Sequence, residues 1–165
     1  MKPPNDTTIA VLFVCAGNIC RSPMAEGIFR HLVNEAGLSD RIQVDSAGTG
    51  PWHVGEPPHR GTLSVLRKHG IAYDGRARRI TQSDFDRYDY ILVADRENLS
   101  YVRRLVDDRH QVHVGLLLAF AYHIGKVTTD EVPDPYYVGN FEEVYDLVRT
   151  GCQELLSNIR TAHKL

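Results

Sequence analysis

The stretch Ile9-Ala-Val-Leu-Phe-Val-Cys15-Ala-Gly-Asn-Ile-Cys-Arg21-Ser22-Pro23 decides the fold. Ile9 to Val14 is a continuous apolar run rich in β-branched and aromatic residues, the composition of a strand buried on both faces of a parallel sheet. Pro23 then sits where a helix's first turn leaves N–H groups unbonded, so its missing N–H costs nothing. Beyond it, Met24, Ile28, Phe29, Leu32 and Val33 share one helical face. The spacing predicts strand, loop, helix.

A loop that ends at a helix N-terminus aims unpaired backbone N–H groups and the positive end of the helix dipole at whatever lies in front of it. The residues of this loop exclude the common nucleotide-binding version, which needs G-x-x-x-x-G-K-[ST]. Here a thiol, Cys15, stands first and a guanidinium, Arg21, stands six residues later. The planar fork of Arg21 matches two oxygens of a tetrahedral phosphate. A cysteine at a helix N-terminus is in the setting that favours its thiolate. A nucleophile and an anion cradle in one loop point to phosphoryl transfer through cysteine.

The pattern C-x5-R-S between a strand and a helix resembles the phosphate loop of the cysteine-dependent phosphatases. Its place near the N-terminus, within Val11-Leu-Phe-Val-Cys15 and Gly17-Asn-Ile-Cys-Arg-Ser-Pro-Met-Ala-Glu26, is similar to the low-molecular-weight protein tyrosine phosphatases. Further matches follow in the family's order: Asp45-Ser-Ala-Gly-Thr49, Trp52-His-Val-Gly-Glu-Pro57, Ala94-Asp-Arg-Glu-Asn-Leu99 and Val132-Pro-Asp-Pro-Tyr-Tyr137. The resemblance runs from about residue 9 to 160.

Length and composition agree with one enzyme domain. A chain of 165 residues is one domain's worth, read as a single domain over 9–165 behind a polar, extended or disordered tail at 1–8. With 19 Lys and Arg against 21 acidic residues, there is no bulk attraction to nucleic acid or anionic membrane. No segment approaches the ~20 apolar residues of a membrane span. Three cysteines without a framework spacing imply a reducing compartment, hence the cytoplasm.

Along the chain, Gly37 stops the first helix and Ile42–Ala47 alternates as a second strand. Residues 48–60 hold too many Gly and Pro for an element and form a loop carrying Trp52, either as loop packing or as a substrate wall. Leu63, Val65, Leu66 and His69 mark a short helix closed by Gly70. Arg76, Arg78 and Arg79 read as a solvated face that stabilises a loop, ahead of substrate steering. Tyr90–Ala94 is a third strand, Asp95 the N-cap of a helix through Val106, and Val112–Leu118 a fourth strand. Val144, Leu147, Val148, Cys152, Leu155, Leu156 and Ile159 form one stripe of a last helix from Phe141 to His163. Cys152 reads as core.

Alternating β and α elements argue for a parallel sheet between helical layers, with ligands outside the carboxyl ends of the strands, where Cys15 falls. The family resemblance implies a three-layer fold with a four-stranded parallel sheet in the order 2-1-3-4.

The reaction also needs an acid to protonate the leaving oxygen. Asp134, stiffened by Pro133 and Pro135, is the candidate, and the resemblance places the family's general acid there. Tyr136 and Tyr137 would line the cleft mouth beside Trp52, and the loop residues Ala16, Gly17, Asn18, Ile19 and Cys20 would bind substrate. Ser22 would ease departure of the thiolate. By resemblance, Asn18 and Ser46 support the loop, and a tyrosine kinase acting on the tyrosine pair is a possible partner. The expected reaction takes phosphotyrosine in a protein and releases inorganic phosphate, with no cofactor and no metal.

Some readings stay open in the sequence. Cys20 is either a small loop residue or a redox partner for Cys15. Gly75 stands where the family often has a His, so by resemblance a His in the loop's support network is either absent or supplied elsewhere. Arsenate reductases share the loop, but the relay type needs cysteines that residues 70–110 lack. Protein-arginine phosphatases tend to carry Thr where Ile19 stands. A non-catalytic phosphotyrosine reader could dispense with Cys15 or Asp134.

Overall fold

The computed structural model describes residues 7–165, so most of the tail reading falls outside the described residues. Strand β1 (Ile9–Cys15) is buried along its whole length. It is followed by α1 (Arg21–Glu35), β2 (Ile42–Gly48), α2 (Arg60–Lys68), α3 (Asp84–Arg87), β3 (Tyr90–Val93) and α4 (Arg96–Leu105). Then come β4 (His113–Leu116), α5 (Ala119–His123), α6 (Pro135–Val138) and α7 (Phe141–His163).

The four strands are parallel in the order β2-β1-β3-β4. Because side chains alternate across a strand, β1 feeds both layers. Ile9, Val11, Phe13 and Cys15 join one core with Met24, Ile28 and Phe29 of α1, Val65 and Leu66 of α2, and Val144, Val148, Cys152 and Leu155 of α7. Ala10, Leu12 and Val14 join the other, with Phe85 of α3 and Leu99 and Val102 of α4. The α7 stripe read from the sequence is the face that packs, with Cys152 fully buried in it and its thiol pushed up by burial.

The chain leaves β1 towards β2 on one side and pairs with β3 on the other. The loops after β1 and β3 therefore part at their carboxyl ends, which opens the crevice that holds the Cys15 loop.

The differences from expectation are local. Strand β4 is shorter than 112–118 because β3, its one neighbour among the described residues, offers four residues, Tyr90–Val93, to pair with. Leu117 and Leu118 lead into α5 instead. Helix α2 begins at Arg60, capped by the His59 ring, which accepts the Gly61 N–H at 2.9 Å. Thr62, Val65 and Leu66 are its buried residues, and His69 closes it. The short helices α3, α5 and α6 carry too few residues for a periodic signal. Among the described residues no helix is long and apolar enough to cross a membrane.

Phe29 has no exposed surface and packs its ring on Phe13 with centroids 5.5 Å apart. Phe29→Ala is expected to cost about 3–5 kcal/mol of stability, measured by urea unfolding, because the sheet and α7 keep the cavity from closing.

Candidate active site

Cys15 ends β1 opposite Gly48 of β2. The next five residues form an irregular loop before α1 starts at Arg21. Its carbonyls are engaged from outside: Thr49 N–H donates to Cys15 at 2.9 Å, Gly50 N–H to Ala16 at 3.0 Å and His59 N–H to Ile19 at 2.8 Å. The Thr62 hydroxyl donates to the Cys20 carbonyl at 3.0 Å. The amides of residues 16–20, by contrast, meet no acceptor among the described residues. Gly48 makes this approach possible, since a Cβ there would lie 2.8 Å from the Ala16 oxygen and 3.1 Å from the Asn18 nitrogen. The result is an arc of donors without acceptors among the described residues, half-buried at Ala16 and Gly17 and buried from Asn18 to Cys20.

The arc is held in shape by Asn18, whose φ of 57° is left-handed, a conformation that asparagine tolerates better than most residues. Both of its amide hydrogens are used, one to Ser22 Oγ at 2.8 Å and one to Ser46 Oγ at 2.9 Å. Its Oδ1 accepts the Arg78 N–H at 2.9 Å. Ser46 passes its own proton to Glu26 Oε1 at 2.6 Å. Ser22 Oγ, already accepting from Asn18, lies 3.0 Å from Cys15 Sγ and can turn its proton to the sulfur.

The network closes on Tyr73, whose hydroxyl donates to the same Glu26 oxygen at 2.6 Å. Burial first, and then the Glu26 charge, pushes the phenol well above its ordinary value, so it stays a donor. Gly75 is explained here, because a Cβ at that position would fall 2.5 Å from the Tyr73 hydroxyl. The phenol of Tyr73, two residues before Gly75, joins the loop's support network through Glu26.

Arg21 is 5% exposed. Its Nη1 donates to Asp95 Oδ2 at 2.7 Å and to the Val132 carbonyl at 3.0 Å, which spends both hydrogens of that nitrogen. Nη2 faces Asp134 Oδ2 at 3.7 Å. Burial opposes the guanidinium's charge, but the Cys15 thiolate, Asp95 and Asp134 outweigh it and hold its pKa above the arginine norm. Asp95 is the N-cap expected from the sequence, accepting the Asn98 N–H at 2.9 Å, and its second oxygen is the one that holds Arg21.

Asp134 caps α6, accepting the Tyr136 N–H at 3.0 Å, and is 46% exposed. It reaches over a cleft of about 370 Å³ whose floor is Cys15, Ala16, Gly17, Ile19, Cys20 and Arg21. Trp52, Tyr136 and Tyr137 form its rim, the two tyrosine rings T-shaped at 4.8 Å. Trp52 folds over Gly50 and is 68% exposed, while Tyr137 is 89% exposed. Asn18, Ser22 and Ser46 sit behind the floor, so the side chain of Asn18 supports the cleft without lining it. Cys20 is packed with Ile19 and Ala77, and its thiol is pushed up to about 12 by burial, then by the Cys15 and Asp134 charges.

Four residues without an assigned role in the sequence contribute. Glu26 and Tyr73 anchor the support network. The Val132 carbonyl holds Arg21. His53 lines the cleft with its Nδ1 2.6 Å from Glu56 Oε2. The one available signal was Glu26, a carboxylate inside the apolar, buried run of α1.

Residues 10–165 match the family model described as low molecular weight phosphotyrosine protein phosphatase. The chain is 48% identical over 158 residues to the low molecular weight protein-tyrosine-phosphatase YfkJ of Bacillus subtilis, covering 95% of this chain and 99% of that one. The crystal structure of YfkJ superposes with a TM-score of 0.89 at 47% identity, over 96% of this chain and 98% of that one. A protein tyrosine phosphatase structure from Entamoeba histolytica aligns with a TM-score of 0.88 at 31% identity, over 96% of this chain and all (100%) of that one. With a cysteine, an arginine and a carboxylate facing one anion-shaped cleft, and with these relatives matched along nearly their whole length, the chain belongs to the low-molecular-weight protein tyrosine phosphatases.

Proposed function

We propose that the enzyme hydrolyses phosphotyrosine in proteins through a phosphate ester of Cys15, with Arg21 and the loop amides binding the phosphoryl group and Asp134 as acid and base. The observation that carries this is the set of amides at residues 16–20 that meet no acceptor among the described residues, beside a guanidinium whose Nε and Nη2 make no hydrogen bond among those residues, Nη2 facing Asp134 at 3.7 Å. Such donors, fixed before substrate arrives, stabilise charge on the equatorial oxygens without reorganising.

The first step forms a bond from Cys15 Sγ to phosphorus and breaks the bond from phosphorus to the tyrosyl oxygen, which takes its proton from Asp134. In the second, water attacks the phosphocysteine, Asp134 takes the water's proton, and the sulfur leaves as a thiolate that accepts the Ser22 hydroxyl at 3.0 Å. Inorganic phosphate is released. Arg21 supplies the positive charge, so no metal enters the scheme. The substrate ring lies between Trp52 and Tyr136, and the apolar side chain of Ile19 on the floor suits an aryl group. We place the enzyme in the cytoplasm, where three unpaired cysteines stay reduced. Tyr137, standing in solvent, is open to a tyrosine kinase as a partner.

Cys15→Ser is expected to abolish phosphate release from a phosphotyrosine peptide, and the wild-type rate is expected to be unchanged in excess EDTA. Asp134→Ala should lower kcat/KM, which reports the step that expels the leaving group, by about 10²–10⁴ for phenyl phosphate, whose leaving group needs the proton, and by less for p-nitrophenyl phosphate. An equal loss on both would rule out the general-acid role. Asp95→Asn keeps a cap for α4 but removes the charge facing Arg21. It should weaken inhibition by inorganic phosphate about tenfold or more, the scale of a hydrogen bond to a charged group.

A further inference from the structure

The three arginines of residues 76–79 are treated differently by the fold. Arg78 is consumed: its guanidinium meets Asp84 through two hydrogen bonds of 3.1 Å and Asp45 through one of 3.1 Å. Arg76 and Arg79 are exposed and meet no carboxylate among the described residues. Arg76 Nη1 donates to the Gly55 carbonyl at 3.1 Å. Arg79 Nε donates to the Thr49 carbonyl at 3.0 Å, and its Nη2 to the Tyr101 hydroxyl at 3.1 Å.

The anchors belong to the stretch that builds one wall of the cleft. Residues 49–55 carry Trp52 and His53 to the rim, and the N–H of Thr49 itself donates to the Cys15 carbonyl at 2.9 Å. Two cations are thus fixed by neutral acceptors against the stretch that walls the cleft, with further N–H groups of each fork unbonded among the described residues.

We infer that Arg76 and Arg79 form a basic shoulder that receives acidic side chains flanking the phosphotyrosine of the substrate. The inference rests on the phosphatase reading above and narrows its substrate class to acidic phosphopeptides. Holding a loop needs a hydrogen-bond donor, which a neutral amide also offers; it does not need a charge. Where the fold uses an arginine as a strut, at Arg78, it neutralises it with two carboxylates. Fixing the guanidinium groups on backbone carbonyls in advance removes much of the side-chain entropy that weakens exposed ion pairs. The chain's formal charge of −2 means that this attraction is local to the shoulder.

The test compares two phosphotyrosine peptides that differ only in Glu and Asp against Gln and Asn within three residues of the phosphotyrosine, with p-nitrophenyl phosphate as the flankless substrate. The wild type is expected to favour the acidic peptide about five- to tenfold in kcat/KM at low salt, through KM, and to lose most of that at ~1 M salt. Arg76→Gln with Arg79→Gln keeps the donors and removes the charges. It should erase the preference while leaving p-nitrophenyl phosphate turnover within about twofold, the scale of an uncharged surface change. Arg76→Glu with Arg79→Glu should reverse the preference towards a Lys-flanked peptide.

A wild-type enzyme indifferent to the flanks, or a preference that survives in the glutamine double variant, would overturn the inference. So would equal losses on the peptides and on p-nitrophenyl phosphate, which would make the arginines loop supports only. A wild-type chain with no turnover of p-nitrophenyl phosphate would instead remove the phosphatase reading on which the inference stands.

Discussion

A row of backbone N–H groups left without protein acceptors at a cleft floor is the constraint on which this structure depends. Backbone N–H groups are ordinarily paired, and one shut away from water unpaired costs on the order of 1–3 kcal/mol. Residues 16–20 concentrate five amides with no acceptor among the described residues in one turn, next to the buried Arg21, with Ala16 and Gly17 half-buried. The chain could relieve this by relaxing the loop into another helical turn, and its surroundings prevent it. The carbonyls of Cys15, Ala16, Ile19 and Cys20 are each tied to a neighbouring segment, and Asn18 is held in a left-handed conformation that no helix accepts. The energy that keeps the cradle open therefore comes from the two cores behind it, through β1, β2 and α2.

The support network shows how completely its members are used. Asn18 has two donors and one acceptor atom, and all three are engaged. Ser46 accepts once and donates once, and Glu26 gathers protons from Ser46 and Tyr73 while its other oxygen meets Arg30. Each bond fixes the direction of the next. The one hydroxyl with a choice is Ser22, whose proton can go to the Ala47 carbonyl at 3.4 Å or to the Cys15 sulfur at 3.0 Å. In the proposed reaction that freedom serves the sulfur, which would lose charge on forming a phosphocysteine and regain it when that bond breaks. Tyr73 reaches this network over a position, Gly75, where a Cβ would fall 2.5 Å from its hydroxyl.

How much of this was legible follows from the range of the interactions. Strand β1, the loop and α1 are written in consecutive residues, so the sequence identifies them together with the chemistry of Cys15 and Arg21. The stripe of α7 is a periodic signal over 23 residues and is likewise plain. Asp95 was legible as a cap because Asn98 is three residues away, while its bond to Arg21 spans 74 residues and leaves no local mark. The same holds for Tyr73, 47 residues from Glu26, and for the difference between Arg78 and its neighbours. Helices α3, α5 and α6, of four or five residues each, are shaped by what they touch and give no period to read.

Arg21 also joins parts of the site that the sequence keeps far apart. Its Nη1 binds the carboxylate that caps α4 and the carbonyl of Val132, two residues before Asp134. Val132 is itself tied to the end of β3, its N–H donating to the Ala94 carbonyl at 2.8 Å. Next to Asp95, Arg96 grips Asp130 through two hydrogen bonds, and its backbone N–H donates to Glu131 at 2.9 Å. The loop that leads to Asp134 is thus moored, at Asp130, Glu131 and Val132, to the helix terminus whose cap, Asp95, also holds Arg21. A displacement of α4 would pull on Arg21 and on the loop before Asp134 together, which helps to preserve the distance between the two groups that the proposed reaction assigns to the phosphoryl oxygens and to the leaving oxygen. Since proximity effects in catalysis are sensitive to displacements of about 1 Å, a shared mooring protects the reaction better than two independent ones would.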